Sequence, residues 1–523
     1  MTRRDRSSAV LLCASVALAL LAAGCKAPPR KPTRSRPIDA APRKARPAEE
    51  IRTVLLPSPE VPIVSVRLTF LSGSVDDPKG KEGLTALTAA LMVKGGTLAL
   101  TAASLLERLF PMAAYLDVRV EKEMTTFVAR VHRDHWPRFE PILVDVLLRP
   151  RWDAKEFARL RTEALNDVRK HLRTGDDELL GKEALQGLLY RGHPYGHYAG
   201  GTVRGLTRLT VEELKAHAQR VFTRARLVLG LGGAVDAALA DRLGSALVAL
   251  PAASQARTPL PPPPSHPVRV LLVEKECRST AISLGHPHGL KRVDPDFFPA
   301  FVGNSAFGEH RQFGGRLFEA LRGQRGLNYG DYSYLEHFVQ DGYGTYPAPS
   351  VARRQQYFSI WLRPVEHPHR VFALRAALHE LGKLLASGLT DDEVTRTRGF
   401  LKGYTRMWEQ TVGRRLGFAI DDLYYESAPT LEGLRRSLPR LNARQINEAL
   451  RRHLRPEQLR IVMVTKGAQA LRKELLSGEA SPIVYPSPKP AAVLAEDKEI
   501  ARHPLRLRPE EVEVRAVDEL FEE

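Results

Sequence analysis

Cysteine is scarce in this chain. Its 523 residues include three cysteines, of which Cys13 and Cys25 fall within the first 25 residues and only Cys277 lies further along. Disulfide frameworks need paired cysteines, so no such framework holds the bulk of this chain together. A lone cysteine at the end of a strand is typical of a small buried hydrophobic side chain, and we assign Cys277 no reactive role.

Long apolar runs are absent beyond the first 24 residues. The run Ala9 to Ala23 is too short to span a bilayer comfortably, and it follows the basic residues Arg3, Arg4 and Arg6. A basic start followed by a short apolar segment is typical of an export signal. We therefore predict a signal peptide of the lipoprotein type over residues 1–24.

The end of this segment, Leu21-Ala22-Ala23-Gly24-Cys25, resembles a bacterial lipobox, with alanine instead of leucine three residues before the cysteine. It predicts cleavage before Cys25 and lipid attachment to that residue. Ordinary signal-peptide cleavage and an uncleaved anchor are the alternatives. Lys26 stands where an aspartate would favour retention in the inner membrane, so we expect an outer-membrane anchor facing the periplasm of a Gram-negative-type bacterium.

Motifs for nucleic-acid binding are also absent, although the net charge is +18. Part of that charge is local, because residues 26–50 carry eight basic and three acidic side chains among several prolines. This composition predicts a disordered tether over residues 25–50, which reaches roughly 75 Å when extended at about 3.1 Å per residue. We expect attraction to anionic headgroups or simple solvation of this tether, and no nucleic-acid partner.

A pattern of strand, glycine-containing turn, Asp-Pro pair and apolar helix occurs twice. The first copy runs from a strand over Ile63–Phe70, through Asp77-Pro78, to a helix over Gly83–Met92. The second copy has a strand at 280–284, Asp294-Pro295 and a helix at 297–306. Later elements repeat in the same order, namely strands 125–132 and 357–362, helices 135–148 and 371–386, and charged helices 153–172 and 391–410.

A repeat of this length indicates a duplicated domain. We predict an α+β fold with helices covering one face of each sheet, built from domains at residues 51–250 and 268–480. The proline-rich segment 251–267 is the expected linker. Residues 481–523 form an extension that either wraps over the second domain or docks a partner.

Several ordered motifs are similar to those of the M16 (insulinase-like, pitrilysin-like) metallopeptidase family. They are Gly73 to Leu84, His193-Pro194-Tyr195-Gly196 with Gly201-Thr202, Val228 to Asp236, and Gly315 to Arg322 followed by Gly326-Leu327-Asn328-Tyr329. The resemblance covers about residues 55 to 470. It implies two M16-type domains that form one half of a clamshell.

Active members of this family carry H-x-x-E-H on the helix after the first of these motifs, where two histidines bind zinc and the glutamate activates water. By alignment, Ala86, Ala89 and Ala90 stand at those three positions. Alanine offers no lone pair and accepts no proton. We therefore expect this chain to bind no metal and to be inactive on its own, with zinc held by a partner subunit.

Other candidate ligands are weak. The family's third ligand would fall near Glu163 and Asp167, which we interpret as solvated helical residues in the absence of the histidines. His379-Glu380 lacks a histidine at Lys383, and Leu335-Glu336-His337 has Ser333 at the first histidine's place. We interpret the remaining histidine pairs as surface or turn residues, namely His132/His135, His193/His197 and His286/His288.

A different part of the family's apparatus is retained. In related enzymes an arginine and a tyrosine seven residues apart reach from the C-terminal domain towards the substrate and stabilise the developing oxyanion. Arg322 and Tyr329 have this spacing within the matching motif. The alternative is that Arg322 pairs with a surface carboxylate and Tyr329 packs in the core. Residues 307–314 depart from the family's usual glycine-serine turn.

The resemblance implies a zinc-less subunit that pairs with an H-x-x-E-H homologue to bind and cleave unfolded peptides, with Arg322 and Tyr329 positioning the substrate. Exposed sheet edges would hold the peptide by strand addition. The alternative function is a stand-alone binding or scaffold lipoprotein at the cell envelope. An autonomous hydrolase with rearranged ligands is the third possibility.

Overall fold

The computed structural model describes residues 51–252, 257–339 and 344–523. The predicted signal peptide, the lipidation site Cys25, the tether and linker residues 253–256 lie outside the described residues. None of the described helices combines the length and hydrophobicity needed to cross a bilayer.

Helices and short strands alternate along the chain. The strands are β1 Arg52–Pro57, β2 Ile63–Phe70, β3 Tyr115–Val120, β4 Thr125–His132, β5 Leu227–Gly233, β6 Val270–Glu274, β7 Thr280–His288, β8 Asp331–Tyr334, β9 Gln356–Val365, β10 Arg460–Thr465 and β11 Val512–Ala516. The α-helices are α1 Leu84–Lys94, α2 Ala102–Leu109, α3 Trp136–Leu148, α4 Ala154–Asn166, α5 Asp177–Leu189, α6 Val203–Arg208, α7 Val211–Val221, α8 Ala237–Leu247, α9 Phe297–Gly308, α10 Arg370–Ser387, α11 Asp391–Met407, α12 Val412–Tyr425, α13 Thr430–Ser437, α14 Ala443–His453, α15 Ala468–Ser477 and α16 Ala491–Ile500. The segments Asp167–Gly175 and Phe318–Gly323 are π-helical.

The two sheets share one topology, which confirms the duplicated α+β fold. The first sheet has the order β1-β5-β2-β4-β3, and the second has β11-β6-β10-β7-β9-β8. When β11 is set aside, each position in one order has its counterpart in the other. In both sheets one outer pair is then parallel and the remaining pairs are antiparallel. The edge strands β3 and β8 are therefore equivalent.

Several elements follow the sequence pattern closely. Strands β2 and β4 have the predicted bounds, and α1, α3, α9 and α10 agree within two residues. The predicted helix 153–172 is different, because α4 ends at Asn166 and continues as the π-helical segment to Gly175. The hydrophobic periodicity does not reveal this change from α-helix to π-helix, since the apolar face continues through buried Val168 and Leu172.

The first half of the chain contributes a helix to the second sheet. Leu180, Leu185 and Leu188 of α5 are buried in one apolar cluster with Val273 of β6 and Val464 of β10. Burial of apolar side chains across this contact joins the halves into one core. All the described residues accordingly belong to one compact unit.

The C-terminal extension also connects the halves. Strand β11 adds to the second sheet in parallel with β6. Beyond it, the carbonyl of Leu520 accepts a hydrogen bond from Arg173 Nε at 2.8 Å, and the amide of Val203 donates to the carbonyl of Phe521 at 3.0 Å. The extension thus wraps over the second sheet and ends on the first half.

Candidate functional site

The first family motif fixes the start of helix α1. Both carboxylate oxygens of buried Asp77 accept backbone hydrogen bonds, one from Gly83 at 2.9 Å and one from Thr85 at 2.8 Å. His197 Nε2 lies 3.6 Å from Asp77 Oδ2. Burial alone would raise the pKa of Asp77, but His197, His217 and the Thr85 hydroxyl outweigh it, so the pKa is lowered.

Two glycines from different motifs meet at this point. Gly83 precedes α1 with φ of +102°, and a Cβ added there would lie 2.8 Å from the Cα of Gly201. A side chain at Gly83 would be strained and would collide with the later loop. The matching glycines therefore have a structural reason to persist without any metal.

The alanines of the degenerate zinc motif face two ways. Ala86 and Ala90 line a cavity of about 310 Å³, whereas Ala89 is fully buried in the core of the first half. The methyl groups at 86 and 90 leave space where imidazoles would project. No zinc ligand set exists on this helix, and the residues present do not fit the metal.

Acidic and basic side chains from both halves line this cavity. They are Lys94, Asp117, Glu121, Lys122, Glu183, His337 and Arg353. Burial lowers the pKa of Lys122 to about 8 and raises that of Glu183, although each favours the other's charged form. His337 Nε2 lies 3.6 Å from Glu121 Oε2, and burial lowers the pKa of His337 to about 4. Sequence reasoning missed this group because its members are far apart along the chain and belong to no motif.

The positions considered for a third zinc ligand do not reach the cavity. Glu163 pairs with Arg159 on the exposed side of α4, with 56% of its side chain exposed. The carboxylate of Asp167 is half-buried and lies 3.4 Å from the hydroxyl of Tyr198, a residue that lines the cavity. The interpretation of Glu163 as a solvated residue is confirmed, while Asp167 is more enclosed than expected.

The first two histidine pairs lie in different surroundings. His132 ends strand β4, and its ring lies 6.4 Å from that of His135. His193 is buried, with Nε2 3.0 Å from the carbonyl oxygen of Pro261. His197 is the neighbour of Asp77 described above. His193 and His197 therefore have structural contacts inside the protein.

The third histidine pair corrects an expectation. His286 and His288 lie within strand β7, and His286 is 1% exposed. The interpretation of this pair as surface or turn residues is wrong, because the strand runs further than its apolar residues indicate.

Within the described residues, one group of three His or acidic side chains could surround a cation. It comprises His379, Glu380 and Glu496, the last from α16 in the C-terminal extension. Lys383 Nζ already lies 2.9 Å from Glu380 and 2.6 Å from Glu496. The ammonium group compensates the carboxylate charge, so this cluster is an ion-pair network.

Arg322 and Tyr329 lie next to each other beside edge strand β8. Arg322 Nη1 donates to the backbone carbonyl of Tyr329 at 2.9 Å, and its guanidinium lies 4.9 Å from the ring centre of Phe318. The Tyr329 side chain is strongly exposed, at 78%. The alternative, in which Tyr329 packs in the core, does not match this geometry.

The alanines and the Arg/Tyr pair do not meet in one site within this chain. Neither Arg322 nor Tyr329 lines the cavity beside α1. The alanines lie on α1, which packs against edge strand β3. The Arg322–Tyr329 pair precedes edge strand β8. The duplicated topology places these two edges at equivalent positions of the two sheets.

Family models match both halves in order. The Insulinase (Peptidase family M16) model matches residues 52–201, and the Peptidase M16 inactive domain model matches residues 208–401. The chain belongs to the M16 peptidase family. With alanines at 86, 89 and 90, it is an M16-type homologue without the zinc-binding motif.

Curated M16 relatives include proteins with and without a peptidase name. The non-peptidase homolog YmxG of Helicobacter pylori is 22% identical over 413 residues, which is 77% of this chain and 89% of that protein. An uncharacterized zinc protease of Mycobacterium bovis is 24% identical over 431 residues, or 79% of this chain and 91% of that protein.

Solved M16 structures share the fold. A peptidase M16 inactive domain from Pseudomonas fluorescens has a TM-score of 0.71 at 22% identity, and the match covers 80% of this chain and 96% of that one. The periplasmic protease PqqL from Escherichia coli has a TM-score of 0.64 at 14% identity. That match covers 88% of this chain and 50% of PqqL.

Proposed function

We propose that this chain is the zinc-less subunit of a two-chain M16 peptidase. Its partner would be a homologue with an intact H-x-x-E-H helix, and the two would enclose unfolded peptides. This chain would contribute Arg322 and Tyr329 to the shared site, and zinc would belong to the partner. The observation that carries the proposal is the exposed Arg322–Tyr329 pair beside β8, in a chain whose own zinc positions are alanines.

The chemistry of the pair supports this role. A guanidinium remains charged at every relevant pH, and a phenol donates a hydrogen bond, so both stabilise an oxyanion that develops on a peptide carbonyl. The Tyr329 hydroxyl can reach a second molecule because the side chain is exposed. The Arg322 guanidinium is held near it through the Tyr329 carbonyl at 2.9 Å.

The size of the chain and its sheet edges also support pairing. A clamshell needs two halves, and the match to this chain covers half of PqqL. Strands β3 and β8 each have one side without a neighbouring strand in the described sheets. An extended peptide would pair with such an edge through main-chain hydrogen bonds.

We also propose that the protein is held at the outer membrane through lipid on Cys25. The support is the sequence order of basic start, short apolar run and lipobox-like ending. The tether at residues 25–50 would then carry the folded unit clear of the headgroups.

The test is co-expression with an H-x-x-E-H homologue and cleavage of an unstructured reporter peptide. We expect activity only when both chains are present, and a loss of about tenfold to a thousandfold in kcat for the Arg322→Ala/Tyr329→Phe double variant. Arg436→Ala is the matched control, because Arg436 forms an exposed ion pair with Glu432 on α13. Full activity of the double variant in the complex contradicts the shared site.

One observation favours the second function, a stand-alone binding or scaffold lipoprotein. The cavity beside α1 is lined by Lys122, Glu183 and Arg353, so it has a charge network of its own. Failure of this chain to form a complex with any M16 homologue, together with capture of unfolded peptide by this chain alone, would support the scaffold.

A further inference from the structure

An aromatic cavity lies in the second half and shares His337 with the cavity beside α1. It has a volume of about 70 Å³, which at roughly 10–15 Å³ per water is room for several waters or a small organic group. Seven Phe, Tyr and Trp side chains form much of its wall, namely Phe297, Phe298, Phe301, Tyr334, Phe338, Trp408 and Phe418. The faces of such rings carry negative charge density and attract cations.

A buried carboxyl group with almost no polar contacts lies in this wall. Glu309 is 6% exposed and lines the cavity, and among the described residues the backbone amide of His310 is the one hydrogen-bond donor to its carboxyl group. Burial raises the pKa of Glu309 to about 8. An ionised carboxylate in such surroundings is costly unless a cation accompanies it.

The position of Glu309 in the fold adds to this negative potential. Glu309 directly follows helix α9 and is its C-terminal cap residue. The last carbonyl groups of a helix carry partial negative charge and favour a cation nearby. The helix end and the carboxyl group therefore attract the same kind of ligand.

The other polar groups of the cavity leave the Glu309 carboxyl group without a cationic partner among the described residues. Arg292 lines the cavity but forms an ion pair with Glu336, in which Arg292 Nη2 lies 2.9 Å from Glu336 Oε2. The Asn304 side-chain oxygen and the Trp408 indole nitrogen are buried and have no hydrogen-bond partner among the described residues. Both residues line the cavity.

We propose that this aromatic cavity binds a primary alkylammonium group, with Glu309 as the counter-ion and the rings as its cation-attracting walls. The ammonium comes either from a small free amine or from the lysine side chain of a bound peptide. The ammonium donates hydrogen bonds to the Glu309 carboxylate and the Asn304 side-chain oxygen. The site does not depend on the proposed partner subunit, because all these residues belong to this chain.

The test uses the full chain and n-butylammonium as the probe, with binding followed by calorimetric titration and Trp408 fluorescence. We expect saturable binding of n-butylammonium and none of 1-butanol, which has the same chain length without the charge. Glu309→Gln should weaken binding by about tenfold or more, since it removes a charge-assisted contact. Glu163→Gln, a change in an exposed pair, should leave the affinity unchanged.

Folding is checked on the same samples. Because the Glu309→Gln side chain has no charge to desolvate, this variant should unfold at an equal or higher temperature than the native chain without amine. A second variant, Trp408→Phe, should retain binding and lose the fluorescence change. Equal affinity of native and Glu309→Gln protein for n-butylammonium, or equal binding of 1-butanol, overturns the proposal.

The two sources of the ammonium are separated by competition. An unstructured peptide with one lysine, compared with the same peptide carrying norleucine, is added to the butylammonium complex. Displacement by the lysine peptide alone assigns the cavity to peptide side chains. If butylammonium stays bound in the presence of either peptide, the cavity is assigned to a small free amine.

Discussion

The carboxylate of Glu123 is bonded to Arg354 twice, from the guanidinium Nε at 2.7 Å and from the backbone amide at 2.9 Å. Glu123 lies between β3 and β4 of the first sheet, and Arg354 precedes β9 of the second. The hydroxyl of Tyr424 also donates to this carboxylate, at 2.8 Å. One buried carboxylate thus connects the two halves.

Replacing this carboxylate should loosen the contact between the halves. We expect Glu123→Gln to lower the free energy of unfolding by about 2 kcal/mol, because it leaves the half-buried Arg354 charge without its partner. Denaturant unfolding and thermal melting measure the change. The control is Glu163→Gln on the exposed face of α4, where a loss below about 1 kcal/mol is expected. Equal effects of the two changes would contradict the connecting role of Glu123.

Asp77 should make the stability of the chain pH-dependent. Its pKa is lowered in the folded state, so its contribution is fully present above the unfolded pKa of about 3.9 and is lost as the pH falls through the folded pKa. Asp77→Asn should therefore cost about 2 kcal/mol at pH 7, and its deficit relative to the native chain should shrink below about pH 4. Unfolding curves across this pH range measure the effect. Asp134→Asn, at an exposed carboxylate, is the control; a deficit for Asp77→Asn that does not change with pH contradicts the assignment.

Histidines placed at two of the degenerate zinc-motif positions should bind a metal ion. Ala86 and Ala90 both face the 310 Å³ cavity, so histidines at these positions would project together into open space. We expect Ala86→His/Ala90→His to bind Co²⁺ or Zn²⁺, measured by Co²⁺ absorption and by titration calorimetry. Ala86→Gln/Ala90→Gln, of similar size but a poor ligand pair, should bind neither. If the histidine variant folds and binds no metal, the cavity does not coincide with the family's zinc position.

Membrane attachment should depend on the thiol group of Cys25. We expect native protein expressed in a Gram-negative host to sediment with outer membranes and Cys25→Ser protein to lose that attachment. Cys277→Ser is the matched control, because it removes the one cysteine among the described residues and leaves the lipobox-like sequence intact. Fractionation with metabolic labelling by a fatty acid measures both. Membrane attachment of Cys25→Ser that equals the native level would point to the uncleaved anchor.

Much of the fold could be predicted from the sequence, because local patterns and local structure share one physical cause. Alternation in β2 and β4 and the apolar stretch of α1 reflect which side chains face a core, and the predicted bounds agree within a few residues. The loss of the zinc ligands could also be predicted, since it needs only the identity of the residues at 86, 89 and 90.

Contacts between distant segments could not be predicted. The packing of α5 on the second sheet, the link from Glu123 to Arg354 and the bond from Arg173 to Leu520 join residues far apart along the chain. The periodicity of a segment shows which of its side chains face a core, but it does not show which distant segment supplies their partners. Many charged or apolar residues elsewhere in the chain would fit equally well. The burial of His286 was missed because strand β7 runs further than its apolar residues indicate.

The sequence by itself determined the family resemblance, the duplication and the absence of the zinc ligands. Tertiary structure alone decided that Ala86 and Ala90 face a charged cavity, that Tyr329 is exposed and that Glu309 is enclosed by aromatic rings. The physical reason is that the identity of a residue is local, whereas its burial, its charge partners and its exposure depend on which remote segments pack against it.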